Sequence, residues 1–192
     1  VNMVSTAVRV GTNDVRGISI DILDGVKLTL NNCSVDFTDA SANDWAYAVN
    51  VSGNGNGHTV TVNGGAYEGA NVINVHGANN TVIVKDATLT STYPDSVDYA
   101  GACIWVLQNQ GSSVEATGNT FNGANAIAFN VGTGTVVTES NNIDNTTLVV
   151  AKIGNTYFGT LTEALEAAKT MTGDVVVELF GKATLNTPLS GS

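Results

Sequence analysis

Charge is scarce in this chain. Asp, Glu, Lys and Arg make up 12% of its 192 residues, about half the share of an ordinary globular domain, so Asn, Thr, Ser and Gly must fill most solvent-facing positions. Positive charge is scarcest, with seven Lys plus Arg against 17 Asp plus Glu and a net charge of −10. A field of that sign repels phosphate backbones and anionic lipid, which argues against nucleic-acid and membrane-surface partners. The two cysteines, Cys33 and Cys103, are too few for a disulfide framework and show no metal-type CxxC spacing. They read as buried thiols acting as small apolar residues. No apolar run reaches the 18 residues of a membrane-spanning helix. Val1 to Val10 holds Arg9 among interleaved polar residues, so it is not the core of a signal peptide. With no initial Met and a Gly191-Ser192 end, the chain reads as a fragment of something larger. Its length suits one core, or one domain with a small appendage.

What is present is a repeat. "LTLNNCSV" (28–35) recurs as "VTVNGGAY" (60–67), "VIVKDATL" (82–89), "VEATGNTF" (114–121) and "VVTESNNI" (136–143), with starts 32, 22, 32 and 22 residues apart. A fixed period with long variants is the signature of a solenoid whose surplus residues sit in loops. Each unit carries a second apolar segment, "YAVNVSG", "NVINVHG", "ACIWVLQNQG" or "NAIAFNVGTG". Alternation and β-branched residues make these strands, and the Gly/Asn clusters make corners. No unit of this size buries its inner face alone, so stacked neighbours must share a continuous core. Alternation points Leu28, Leu30, Val35, Val60, Val62, Tyr67, Val82, Val84, Leu89, Val114, Phe121, Ile127 and Phe129 inward. Cys33 shares a corner position with Gly65, Ala87 and Asn119, two rungs and one face from Cys103. That separation is too great for a disulfide, which needs Cα atoms within about 7 Å.

These rungs resemble those of right-handed parallel β-helix proteins, the pectate-lyase-like superfamily, over about residues 4 to 147. The resemblance implies an all-β, right-handed parallel β-helix and says almost nothing about activity, because lyases, hydrolases, tailspikes and inert surface modules share that fold. The last 45 residues change character: "LVVAKIGNTYFG" (148–159) reads as a hairpin around Gly154-Asn155, and "DVVVELFG" reads as a strand. Between them "TLTEALEAAKT" (160–170) begins with a capping box, Thr160 to Glu163, and sets Leu161, Ala164, Leu165 and Ala168 on one helical face. The expected domains are a β-helix over 1–147 and a hairpin-helix-strand capping unit over 148–192. That unit resembles the segment opening successive β-helix domains in large bacterial surface proteins, which implies tandem neighbouring domains. The other reading is that it folds back over an open end of its own solenoid, whose strand edges need cover.

The chemistry is sought in the two long units, "DFTDASANDWAY" (36–47) and "TSTYPDSVDYAGA" (90–102). Loops two rungs apart emerge roughly 10 Å from each other, given a strand spacing of about 4.8 Å. They would share a patch of Asp36, Asp39, Asp44, Trp45, Tyr47, Tyr93, Asp95, Asp98 and Tyr99. Aromatic rings stack on sugar CH faces while carboxylates take hydroxyls. The same acids could ligate calcium, the one cofactor left open. Aromatics that merely anchor the loops, with Asp as a turn former, are the bland alternative. A hydrolase would need two carboxylates about 5 Å or about 6.5–9.5 Å apart. A pectate-lyase-like mechanism would want a base beside acidic calcium ligands. Arg9 and Arg16 precede the first clear rung, however, and Lys27, Lys85, Lys152, Lys169 and Lys182 lie outside the long loops. No catalytic or metal residue is therefore assigned.

Three further features read as structural. His58 and His76 look like stacked, solvent-facing turn residues. Asn50, Asn74 and Asn130 look like an amide ladder along the solenoid. "SGNGNGHTVTVNGG" precedes a strand, so it offers no helix N-terminus to a phosphate. The expected function is a non-catalytic, extracellular module of a secreted or surface-bound, adhesin-like bacterial protein, contacting carbohydrate or a host surface protein. A glycan-active hydrolase or lyase using the loop Asp residues, and a purely structural spacer, remain open.

Overall fold

The computed structural model describes residues 2–4, 15–21, 24–37, 46–52, 55–93, 101–106, 111–148, 150–154 and 156–179. Its first strands are β1 (Asn2–Val4), β2 (Val15–Asp21), β3 (Lys27–Asp36), β4 (Ala46–Ser52), β5 (Thr59–Gly69), β6 (Asn71–Val75) and β7 (Thr81–Lys85). There follow β8 (Thr88–Ser91), β9 (Gly101–Val106), β10 (Ser113–Thr117), β11 (Thr120–Gly123), β12 (Ala126–Val131), β13 (Val136–Ser140) and β14 (Ile143–Thr146). They form two curled parallel sheets. One runs β13-β10-β7-β5-β8-β11-β14 with β3 and β1 attached, and the other runs β12-β9-β6-β4-β2. The outcome is a β-dominated, solenoid-like stack.

Pairing follows the repeat. Leu28 lies beside Val60, Val60 beside Val82 and Val82 beside Val114, the expected offsets of 32, 22 and 32 residues. The last rung corrects the expectation by one residue, because Val114 pairs with Val137 rather than Val136.

The polar pair inside each repeat is a corner with a left-handed residue. Asn32, Gly64, Asp86, Gly118 and Asn141 occupy one column, with φ of 48°, 66°, 53°, 69° and 54°. Asn, Asp and Gly are the residues that tolerate this region. A side chain on Gly64 or Gly118 would collide with the Asn32 or Asp86 carboxamide or carboxylate oxygen of the rung before, which is why bulky and glycine corners alternate. A second column of left-handed residues, Gly25, Gly57, Asn79, Gly111 and Gly134, turns the chain into each new rung.

Side chains between the sheets form one core. Leu30, Val35, Val60, Val62, Tyr67, Val82, Val84, Leu89, Val114 and Phe121 are buried there, and Leu28 and Phe129 pack against them. Phe121 and Phe129 meet edge to face at 5.1 Å, within the range aromatic pairs prefer. Ile127 does not join this core, contrary to the alternation. Ala48 with Val49, Val72 with Ile73, Cys103 with Ile104 and Ala128 with Phe129 all belong to the core, so the inward pattern slips by one residue at the start of each second strand. Ile127 lies in the column of Tyr47, Asn71 and Ala102, outside that slip.

At the last rung the inner columns end in charge. Glu139 pairs with Ala116 and Asp144 with Phe121, while Val136 and Ile143 are 64% and 58% exposed. Inward-pointing charge is a standard way to blunt an open strand edge. The chain then forms β15 (Ala151–Ile153) and β16 (Thr156–Phe158), an antiparallel hairpin around Gly154, then α1 (Leu161–Lys169), and β17 (Glu178–Leu179) on the other edge of β15. The capping box is formed: the Glu163 amide donates to Thr160 Oγ1 at 3.2 Å and the Thr160 amide to Glu163 Oε2 at 3.1 Å. Ala151, Ile153 and Ala164 are buried between helix and hairpin. Strands β13 and β14 stay exposed, so this unit leaves them uncovered.

Candidate binding surface at the long corner

The step from β5 to β6 takes one residue, Ala70, whereas β3 to β4 and β8 to β9 are separated by residues 37–45 and 92–100. Since β3, β5 and β8 are consecutive neighbours in one sheet and β4, β6 and β9 in the other, both insertions leave from the same corner. Their roots are two strand spacings apart, about 10 Å. Phe37, at the root of the first, is fully buried, and Tyr93, in the second, is half-buried against the core.

Of the sequence-derived site residues, Asp36, Tyr47 and Tyr93 are placed; Asp39, Asp44, Trp45, Asp95, Asp98 and Tyr99 lie outside the described residues. The three do not share one face. Asp36 sits between buried Val35 and buried Phe37, so alternation turns it to the outer side of the first sheet. Tyr93 packs inward. Tyr47 lies on the outer side of the second sheet, 6% exposed, its ring centroid 6.5 Å from that of Trp105 at a 37° tilt.

Trp105 is an outward aromatic residue that the sequence reading does not single out. It occupies an outward column with Ser19, Asn50, Asn74 and Asn130. The column begins as the expected ladder: Asn50 Nδ2 donates to Ser19 Oγ at 3.3 Å and Asn74 Nδ2 to Asn50 Oδ1 at 2.7 Å. It stops at Asn74, because Trp105 stands between Asn74 and Asn130; Asn130 is therefore not stacked on the other two. The interruption leaves Asn74 Oδ1, an acceptor, and Trp105 Nε1–H, a donor, buried without hydrogen-bond partners on neighbouring strands. Each such orphan costs about 1–3 kcal/mol, and buried polar groups are rarely left in this state.

The histidines differ from expectation. His58 is 2% exposed rather than solvent-facing. Its Nδ1 accepts the Val26 amide at 3.3 Å, which puts the proton of the neutral ring on Nε2. The same corner is stitched rung to rung: the His58 amide donates to Asn80 Oδ1 at 2.9 Å and the Asn80 amide to Ser112 Oγ at 3.1 Å. His76 is half-buried, and burial, followed by the Arg16 charge, holds it below the usual histidine range. Among the described residues no three His, Cys, Asp or Glu side chains gather as metal ligands would. Both cysteines are free and buried. Burial, above all, pushes the Cys103 thiol up to about 12, so it is no nucleophile near neutral pH.

Compared with family models, curated proteins and solved structures, the chain matches none.

Proposed function

We propose that the chain is a non-catalytic module of a right-handed parallel β-helix, part of an extracellular, adhesin-like bacterial surface protein, and that it contacts glycans at the long corner. The observation that carries this reading is the strand register, which opens both insertions at one corner. Both insertions carry aromatic and acidic residues, a composition that suits sugars, whose CH surfaces stack on rings and whose hydroxyls hydrogen-bond. A net charge of −10 disfavours polyanionic ligands. The test is a glycan-array screen of wild type beside a Trp45→Ala, Tyr93→Ala double variant, with and without calcium. Saturable binding lost in the variant, with the melting temperature unchanged, supports a loop site, and calcium dependence would bring the loop carboxylates in as ligands of the ion. Binding to nothing on the array would refute the reading. A second reading, a structural spacer between tandem domains, draws on Tyr93 packing against the core. It expects the double variant to lose stability and no binding in either protein.

A further inference from the structure

We propose that copies of this chain join head to tail, residues 182–186 of one copy pairing in parallel with the open edge of β3 in the next. Strand β1 covers residues 34–36 of β3, and among the described residues no strand covers 27–33 on that side. The edge is apolar on its inner side: Leu28 is half-buried and Leu30 is 8% exposed, where Val60, Val62, Val82 and Val84 on the next two strands are at 0%. An open edge of this kind is a template for one more strand. The sequence beyond Leu179 holds one that matches, because "KATLN" (182–186) repeats "KLTLN" (27–31) at every position but the second. In that register Leu185 stacks on Leu30 and Ala183 on Leu28, while Asn186 extends the ladder in which Asn63 Nδ2 donates to Asn31 Oδ1 at 2.9 Å. The match ends where β1 takes over the edge. Thr187, β-branched and followed by Pro188, does not suit the left-handed corner that Asn32 makes. The far end of the stack is a poorer seat: the inner column runs Leu30, Val62, Val84, Ala116, Glu139 and would set Leu185 against a carboxylate. One contact opposes the pairing, because Lys182 comes beside exposed Lys27, a repulsion that salt screens. Edge and segment lie at opposite ends of the chain, so the contact does not close on itself and each copy can take the next.

Disulfide trapping tests the register. Neighbouring parallel strands lie about 4.8 Å apart, inside the Cα range of about 4.4–6.8 Å that a disulfide needs, and Thr29 is an exposed, outward residue of β3. Thr29→Cys and Thr184→Cys chains would be mixed at about 100 μM under mild oxidation; docking holds their thiols at an effective concentration in the millimolar range, so the link between them should exceed chance links about tenfold. Thr138→Cys, exposed in the same outward column on β13, is the control and should give chance links only. In sedimentation velocity the wild type should grow in mean mass with concentration. Leu185→Asp should abolish that growth while the thermal melt stays unchanged, and Lys27→Thr or added salt should strengthen it a few-fold. A Thr184→Cys link to Thr138→Cys rather than to Thr29→Cys would overturn the proposal. So would a monomeric disulfide in a chain carrying both Thr29→Cys and Thr184→Cys, or a wild type that stays monomeric up to millimolar concentration.

Discussion

Asn119→Ala should be among the most damaging single substitutions outside the apolar core. Asn119 is fully buried at a corner; its Oδ1 accepts the Ala87 amide at 3.0 Å, and its Nδ2 donates to the Val84 carbonyl at 2.8 Å and to Asn142 Oδ1 at 3.1 Å. Truncation leaves a buried amide and a carbonyl without partners, at about 1–3 kcal/mol each, so the expected loss is about 3 kcal/mol. Asn63→Ala is the matched control. Its amide donates to Asn31 Oδ1 at 2.9 Å on the exposed face, where water replaces the lost bond and the change should stay within about 0.5 kcal/mol. Urea unfolding followed by circular dichroism reads both. With a slope of about 1–3 kcal/mol per molar, Asn119→Ala should lower the midpoint by about 1–3 M, while Asn63→Ala should barely move it. Equal shifts for the two variants, or a loss under about 1 kcal/mol for Asn119→Ala, would refute the claim that side-chain bonds at the corners hold the rungs together.

The glycine corners should rank by contact. Gly65→Ala places a methyl on the Cys33 carbonyl at φ 98°, whereas Gly134→Ala, at φ 92°, meets nothing within 4 Å, so thermal melts should show Gly65→Ala losing clearly more than the about 1–2 kcal/mol of left-handed strain alone. Burial, above all, raises both Cys103 and Tyr67 to about 12, from ordinary values of 9.0 and 10.0. Above pH 9 the unfolded chain therefore gives up protons that the folded chain keeps, and stability is lost between about pH 9 and 12. Cys103→Ala should flatten that alkaline decline in pH-dependent melts, and an unchanged profile would contradict the burial. Replacing Glu139 by Val and Asp144 by Leu would make the last rung apolar along its inner columns. Light scattering should then show concentration-dependent association stronger than that of the wild type.

The architecture was legible because the repeat constrains it at several levels at once. Alternation, corner residues and offsets of 32 and 22 residues agree for Leu28, Val60, Val82 and Val114, and their strands pair accordingly. The final rung was misjudged by one residue because Val136 and Val137 are adjacent and equally apolar, so a period of two cannot choose between them. Ile127 was misplaced for a related reason: the inward pattern slips at the start of each second strand, and alternation counted from the apolar residues does not register a slip. Trp105 was passed over because "ACIWVL" reads as one continuous apolar run, in which parity alone marks the outward residue. His58 reads as a surface residue because its surroundings come from other rungs: the Val26 amide that donates to its ring lies 32 positions away in sequence and one rung away in space.

Binding without cleavage is the central functional claim, and native mass spectrometry of the chain with a glycan identified on the array addresses both halves at once. A complex carrying the intact oligosaccharide mass, unchanged over hours, is the expected result. Absence of a complex, or the appearance of shortened sugar masses, would contradict it.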